Sequence, residues 1–256
     1  LNSAAGGRIE RALLYAWCVM PAEREGVIKF QQVFEKAGPP ERVHLLELRE
    51  WRDRLRQWEL IGEYTDGTGF GNASYRLPPY AQDSISFVIT GTQTGQEDYL
   101  DEGSYTTVAE FDVSLNRVVS QGRIQASSES LSHGVIYQLD PSARYVFHAH
   151  NPEMWWARAA LGLLETSQHV PYGTTAMAHE IERLFRETDV AHQGVFAMAG
   201  HEDGLVSFAA TAGEAGSRLR GLLTRARDLI DRLPRQLDRG LENPNPDPRR
   251  PPTRFA

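Results

Sequence analysis

The chain has 256 residues, of which 41% are hydrophobic and 24% charged, and its 27 lysines and arginines against 34 acidic residues give a net charge of −7. This composition is that of an ordinary globular protein and excludes a disordered, fibrous or disulfide-rich chain. The acidic balance argues against a general nucleic-acid or membrane-surface binder, which usually presents a basic field to phosphate. With a single cysteine, Cys18, no internal disulfide can form. Neither a membrane span nor a signal-peptide pattern is visible, so we expect a cytoplasmic protein.

The first part of the chain is predicted to be a helical extension over residues 1–44. It holds two short apolar segments, residues 12–20 and 27–34, ahead of a Gly-Pro-Pro sequence at 38–40. Between residues 41 and 61, apolar residues recur at steps of three and four, the spacing of one helical face: Leu48, Trp51, Leu55 and Trp58. Four arginines are interpreted as the solvated face of this helix: Arg49, Arg52, Arg54 and Arg56.

Two glycine-containing segments follow and are predicted to be ligand-approaching loops. Residues 62–76 are glycine-rich, which permits tight turns or a close approach of the backbone to a ligand, although their spacing matches neither a Walker loop nor a dinucleotide fingerprint. Residues 84–90 alternate into an apolar run and predict a strand, which leads into the polar loop 91–95. Residues 108–113 and 118–119 predict a hairpin.

The second half of the chain is predicted to mix helices and strands. An amphipathic helix is predicted at 131–139, with a preceding serine available to cap it, and a strand at 144–150. The remaining predicted elements are helices at 152–164, 175–186 and 216–233, and strands at 194–199 and 204–208. The proline-rich stretch 234–256 is predicted to be a tail, which leaves a main domain over residues 45–233.

Three histidines and one glutamate lie at strand ends and at a helix start, positions typical of catalytic or metal-binding residues. Alternate strand residues face the same way, so His148 and His150 would leave one face about 7 Å apart along the backbone, where one metal ion could meet both. His201 follows another predicted strand and would complete a three-histidine site with one open position. Glu129 begins the helix that leads into the His148 strand and could be a fourth ligand or a base.

These residues, in this order, resemble the class II aldolase/adducin family, in its L-fuculose-phosphate aldolase and L-ribulose-phosphate epimerase branch. The resemblance spans roughly residues 45–225 and rests on these stretches: Gly71-Asn72-Ala73-Ser74-Tyr75-Arg76, Thr94-Gly95, Ser127-Ser128-Glu129, His148-Ala149-His150, Val170-Pro171-Tyr172-Gly173-Thr174 and Gly200-His201. It implies an α/β fold with three α/β/α layers around a mainly antiparallel central sheet. It also implies a homotetramer with the site near a subunit interface.

The resemblance further implies the chemistry of the site. A divalent metal, Zn²⁺ first and Fe²⁺, Co²⁺ or Mn²⁺ as alternatives, would be held by His148, His150 and His201, and Glu129 would be the catalytic acid/base. The phosphate or other polar end of the substrate would contact Asn72, Thr94, Gly95, Ser127 and Ser128. The implied activity is that of a metal-dependent lyase or aldolase on a small hydroxy-carbonyl, sugar or sugar-phosphate-like substrate, through a metal-stabilised enediolate. The implied partner is a small molecule, with neither nucleic acid nor membrane.

Several other side chains carry weaker expectations. His133 is a candidate to orient Glu129, and Trp155 and Trp156 are interpreted as helix packing rather than pocket lining. The leaving fragment of an aldol cleavage needs a proton donor, for which the candidates are Tyr99, Tyr105 and Tyr172. No role is assigned to the remaining histidines: His44, His169, His179 and His192.

Three classes of function stay open at this point. Aldol cleavage, epimerisation, dehydration and decarboxylation share the enediolate, and the sequence does not separate them. Two histidines and a carboxylate also describe a non-haem iron oxygenase site. A non-catalytic, adducin-like interaction protein ranks last, because such a protein would be expected to have lost metal ligands that are all present here.

Overall fold

The computed structural model describes residues 25–232 of the chain. The predicted segment at 12–20, Cys18 and the predicted tail at 234–256 lie outside these residues. Within the described part of the chain, no helix combines the length and the apolar character needed to traverse a bilayer.

Strands and helices alternate along the described residues. The strands are β1 (Gln31–Lys36), β2 (Gly62–Glu63), β3 (Gly69–Phe70), β4 (Asn72–Arg76), β5 (Phe87–Thr90), β6 (Tyr105–Asp112), β7 (Arg117–Gly122), β8 (Tyr145–His150), β9 (Leu164–Glu165), β10 (Val195–Ala197) and β11 (Gly204–Ala209). The α-helices are α1 (Leu46–Gln57), α2 (Ser130–Leu139), α3 (Pro152–Trp156), α4 (Arg158–Leu161), α5 (Thr175–Glu187), α6 (Val190–Gln193) and α7 (Ala212–Asp231). Single 3-10 turns form at Arg42–His44 and Glu102–Ser104.

Nine of these strands form one sheet in the order β1-β7-β6-β5-β4-β8-β11-β10-β9, and β2 and β3 form a separate hairpin. Only the two edge pairs, β1 with β7 and β9 with β10, are parallel in this sheet; the six pairs between them are antiparallel. The predicted α/β fold with a mainly antiparallel central sheet is therefore confirmed.

Alternation along β8 shows how the sheet separates two hydrophobic cores. Tyr145, Phe147 and Ala149 pack into the core that α1 and α7 cover. Val146 points to the opposite face, into the core that α2 and α5 cover. Because successive strand side chains face opposite sides, the helices form a layer on each face of the sheet, as the three-layer prediction required.

Most predicted elements from the hairpin onward are confirmed. The strand at β8, the hairpin of β6 with β7, the helix α5 and the antiparallel strands β10 and β11 lie close to their predicted positions. The predicted helix at 152–164 is instead the two short helices α3 and α4. These end at Gly162, whose left-handed φ of 72° stops the second one.

The predicted helical extension is wrong for its described part. Residues 31–36 form β1, which pairs in parallel with β7 from Gln31 opposite Arg117 to Lys36 opposite Gly122. A local pattern could not reveal this pairing, because the partner strand lies far away in the sequence and tertiary context overrides local propensity. Whether residues 45–233 form a separate domain stays a prediction, although β1 already belongs to the main sheet.

The predicted loop at 62–76 is also wrong in part, because its second half is a central strand. β4 pairs with β5 on one side and β8 on the other. Gly71 precedes it with a φ of 75°, and a Cβ there would lie 3.1 Å from the carbonyl oxygen of His148. The glycine therefore permits the close backbone approach that brings β4 beside the histidine strand.

Candidate metal centre and active site

His148 and His150 leave the same face of β8, as the alternation predicted. Both are buried, and their Nε2 atoms lie 2.9 Å apart. His148 is opposite Asn72 of β4 and Val206 of β11, so it sits in the middle of the sheet with a neighbour on each side. His148 is thus held on a strand that is paired on both sides.

His201 reaches the same point from the tight loop between β10 and β11. Its backbone N–H donates to the Met198 carbonyl oxygen and its own carbonyl accepts from the Gly204 N–H, each over 3.0 Å. Its ring centroid lies 5.3 Å from that of His148 and 4.7 Å from that of His150. The structure therefore brings together the three histidines that the sequence analysis singled out.

Hydrogen bonds on the far sides of two rings fix their orientation. His148 Nδ1 donates to the Leu205 carbonyl oxygen over 3.1 Å, which leaves the Nε2 lone pair of the neutral ring pointing into the site. His150 Nδ1 and the Tyr64 hydroxyl are hydrogen-bonded over 2.7 Å. Tyr64 was not predicted, because its sequence segment offers no pattern that would mark it as a partner of a histidine.

Glu129 lies fully buried beside this cluster, at the N-terminus of α2. Its Oε1 is 4.0 Å from His201 Nε2, and neither carboxylate oxygen makes a hydrogen bond within residues 25–232. Burial, with repulsion from Glu25, raises the pKa of Glu129 to about 7 against the attraction of His201. The expected serine cap is wrong, because the N-cap residue of α2 is Glu129, without a side-chain cap, and Ser127 Oγ accepts from the Glu129 N–H over 3.3 Å.

A second carboxylate, Glu25, belongs to the cluster and was not predicted. Its Oε2 lies 3.1 Å from His201 Nε2 and 3.9 Å from His150 Nε2, and only 8% of the residue is exposed. Ligand atoms of Glu25 and the three histidines all lie within 4.8 Å of one another. No sequence signal marked Glu25, because nothing local connects the N-terminal segment to strands more than a hundred residues later.

Charge and burial set the protonation states of the cluster. Burial lowers the pKa of His148 to about 4 and that of His150 well below its ordinary value, so both rings are neutral at neutral pH. Burial also opposes the charged form of His201, but the carboxylates of Glu25 and Glu129 outweigh it and raise its pKa. Burial works against ionised Glu25, yet His150 and His201 hold its pKa at about 2.

The donors fit a divalent metal ion. Neutral imidazole nitrogens and a carboxylate oxygen are ligands that Zn²⁺ and neighbouring transition metals accept. His201 Nε2 is buried and lies 3.1 Å from Glu25 Oε2, so this nitrogen is aimed into the cluster. The structure thus contains a buried group of three histidines and a glutamate that could bind a metal.

The predicted substrate residues lie on segments that meet near the cluster. Asn72 is opposite His148 in the sheet, is buried, and its Oδ1 makes no hydrogen bond among residues 25–232. The loop that carries Thr94 and Gly95 joins the segment before Ser127, through a bridge of Gly91 with Ala126 and a 2.9 Å bond from Thr92 N to Gln125 O. The last two, Ser127 and Ser128, are buried next to Glu129.

Two arginines near these loops donate their hydrogen bonds to backbone carbonyl groups. Arg52 is 1% exposed, so its predicted place on the solvated helix face is wrong, and its Nη2 donates to the carbonyls of Thr94, Gly95 and Glu97. Arg76 is fully buried and donates to the carbonyls of Tyr137, Tyr80 and Ala81. Both guanidinium groups therefore support the loops rather than presenting charge to a ligand.

The weaker candidates separate by position. His133 Nδ1 is hydrogen-bonded to Ser74 Oγ over 2.7 Å, so its expected role in orienting Glu129 is wrong. Among the tyrosines, Tyr172 alone of the three candidates contacts the cluster, with its ring centroid 4.4 Å from that of His201. Tyr99 is 62% exposed, and Tyr105 is buried in the core beneath α1.

The two tryptophans and the other histidines lie away from the cluster. Trp155 Nε1 donates to the Met198 carbonyl oxygen over 3.0 Å, whereas Trp156 is 61% exposed, so the packing expected for both holds only for Trp155. The histidines without an assigned role are half-buried or exposed: His44, His169, His179 and His192.

Fold and site together define an α/β protein that carries a buried group of possible metal ligands at the centre of a mainly antiparallel sheet. Residues 62–227, more than half of the chain, match the family described as Class II Aldolase and Adducin N-terminal domain. The chain belongs to this family, which confirms the resemblance seen in the sequence.

Solved structures share this fold. They include L-fuculose-1-phosphate aldolase from Thermus thermophilus, with 22% identity, 78% of this chain and 98% of that chain covered, and a TM-score of 0.51. The sugar-phosphate aldolase from Thermotoga maritima has 15% identity, coverage of 74% and 94%, and a TM-score of 0.57. YgbL from Escherichia coli has 20% identity, coverage of 74% and 89%, and a TM-score of 0.52. At these identities the likeness concerns the fold alone, and no curated protein matches the chain significantly.

Proposed function

We propose that this protein is a metal-dependent lyase of the aldolase type, acting through an enediolate on a small hydroxy-carbonyl substrate such as a sugar or sugar phosphate. The observation that carries the proposal is Glu129, a fully buried carboxyl group without a hydrogen bond among the described residues, 4.0 Å from His201 Nε2. A structural glutamate would be expected to have a partner, because an unpaired buried carboxylate is costly.

Glu129 is suited to move protons at neutral pH. A general acid/base works best when its pKa lies near the working pH, and burial places the pKa of Glu129 at about 7. Its carboxylate would take a proton from a substrate hydroxyl group or α-carbon, and its acid form would return one. The imidazoles of His148, His150 and His201 would hold the divalent metal, Zn²⁺ in the first place. When bound, such an ion stabilises negative charge that develops on substrate oxygens.

The polar end of the substrate would be bound without a cationic side chain from Arg52 or Arg76. Asn72 Oδ1 is buried beside His148, and Ser127 and Ser128 directly precede Glu129. Thr94 Oγ1 donates to the Gly91 carbonyl oxygen over 2.8 Å, so this hydroxyl offers its lone pairs, not its proton, to a ligand. A phosphate would use the backbone N–H groups and serine hydroxyls of these loops, and a homotetramer would place the loops near a neighbouring subunit.

Metal analysis with matched variants tests this proposal. Purified protein should contain about one Zn²⁺ or Co²⁺ per chain, and His148→Ala or His201→Ala should lose most of it while staying folded. Glu129→Gln should keep the metal yet lose about 10²- to 10⁴-fold in kcat on hydroxy-carbonyl substrates, tried with and without phosphate. Full metal retention in both histidine variants would refute the site, and full activity of Glu129→Gln would refute the role of Glu129.

A second candidate function is favoured by Glu25. A carboxylate and several imidazoles that converge on one point also suit a non-haem iron oxygenase. Iron in the purified protein and substrate-dependent oxygen consumption would support this alternative, and zinc with aldol cleavage in its place would exclude it. An adducin-like, non-catalytic role would be supported by a chain that binds no metal even after soaking.

A further inference from the structure

Glu25 reaches the histidine cluster from outside the part of the chain that matches the family, residues 62–227. Its Oε2 approaches two imidazoles, 3.1 Å from His201 Nε2 and 3.9 Å from His150 Nε2. The side chain is 7% exposed, as buried as the histidines it faces. The central sheet alone does not explain why a segment outside the family match buries a carboxylate against these histidines.

The segment around Glu25 is anchored on both sides of that residue. Val27 N–H donates to the Tyr172 hydroxyl over 3.0 Å, and Tyr172 itself packs on the His201 ring. Gln93 Nε2 donates to the Glu25 carbonyl oxygen over 3.4 Å. Gly26 adopts a φ of 75°, a left-handed conformation that turns the chain directly after the carboxylate.

The pairing of β1 with β7 continues this anchoring along the sheet edge. It begins with Gln31, whose N–H donates to the Asn116 carbonyl oxygen over 2.7 Å, and Asn116 Nδ2 returns a bond of 2.9 Å to the Lys29 carbonyl oxygen. The position of Glu25 is therefore determined by hydrogen bonds to three separate parts of the domain. It does not depend on its contact with the imidazoles alone.

The ligand atoms of the cluster converge on one point that a cation could occupy. Glu25, His148, His150 and His201 are all buried, and their ligand atoms lie within 4.8 Å of one another. Buried carboxylates are normally paired or bound to a metal. An open cleft of about 470 Å³, lined by residues that include Glu25, Thr68 and Gln93, offers an entry path to this point.

We propose that Glu25 is a fourth protein ligand of the metal, so that the segment before the family domain completes the metal centre; this rests on the metal site of the proposed function. The ligand set is then His148, His150, His201 and Glu25. Glu129 stays off the metal as the acid/base. The competing explanation is a salt bridge between Glu25 and His201 that only orders the N-terminal segment.

Cobalt binding to the full-length protein separates these explanations. Co²⁺ affinity, measured by competition with a chromophoric chelator, should fall at least about tenfold in Glu25→Gln, since even a partner outside the ligand set usually contributes that much. The visible absorption spectrum of the Co²⁺ protein should change as well, because it reports the ligand number and geometry. Glu35→Gln, at an exposed site on β1 in the same segment, is the matched control and should behave as the wild type.

Two results would overturn the proposal. One is a Glu25→Gln protein with an unchanged Co²⁺ spectrum, whatever the change in affinity, because a partner outside the ligand set can also lower affinity. The other is a loss confined to the thermal stability of the metal-free protein, which would indicate the salt bridge. His148→Ala, measured alongside, keeps the two proposals distinct: if it retains full affinity, the metal site itself is wrong, whatever Glu25 does.

Discussion

Arg52 should contribute more to stability than any other charged residue on α1. Its Nη2 donates to the carbonyl oxygens of Thr94 at 2.9 Å, Gly95 at 3.4 Å and Glu97 at 2.5 Å. A hydrogen bond from a charged donor contributes about 1.5 kcal/mol or more, and because Nη2 carries two hydrogens, its two full bonds give about 3 kcal/mol. Methionine would recover part of this loss by apolar packing, and we expect Arg52→Met to lower the free energy of unfolding by about 2 kcal/mol.

Urea unfolding of matched variants provides the measurement. Arg54→Met is the control, because Arg54 lies on the same helix and forms only a partly exposed pair with Glu50 and a contact with Trp51. Such contacts contribute less than about 1 kcal/mol. Equal losses of stability in the two variants would refute the reasoning, since they would mean that the buried arginine contributes no more than an exposed one.

Other contacts give three further predictions. Gly95→Ala would place a Cβ 2.5 Å and 2.6 Å from two backbone carbonyl oxygens and should destabilise the protein by about 1–3 kcal/mol. Gly221→Ala on α7, where a Cβ meets nothing within 4 Å, should instead stabilise it by about 0.5–1 kcal/mol. Equal effects of the two variants in thermal unfolding would contradict this prediction. The folded-state pKa of Glu129 is raised from 4.5 to about 7, so its contribution to the stability of the metal-free protein falls as pH rises from 4.5 to 7. Glu129→Gln should therefore gain stability relative to wild type across this pH range. A stability difference that stays constant with pH would refute the raised pKa. Tyr64→Phe removes the 2.7 Å bond to His150 and should weaken Zn²⁺ binding about tenfold, measured by chelator competition, unless the ring orientation is held by packing alone.

Much of the site could be predicted from the sequence because its signals are local. The alternation of residues 144–150 predicts two imidazoles on one face of a strand, and the structure places His148 and His150 on one face of β8. His201 stands after an apolar strand and Glu129 at a helix start, so their element types were visible without knowledge of the fold. The resemblance then indicated the family, and the family match confirms it.

Only the tertiary structure decided the features that depend on distant partners. Arg52 lies inside because the carbonyls of the loop after β5 surround it, although helical periodicity placed it with the solvated arginines. β1 is a strand because β7 offers an open edge, and Glu25 reaches the histidine cluster because the segment before β1 crosses to Tyr172. Local periodicity indicates which face of an element is apolar. It does not indicate which groups from distant parts of the chain will bury a polar side chain of that element.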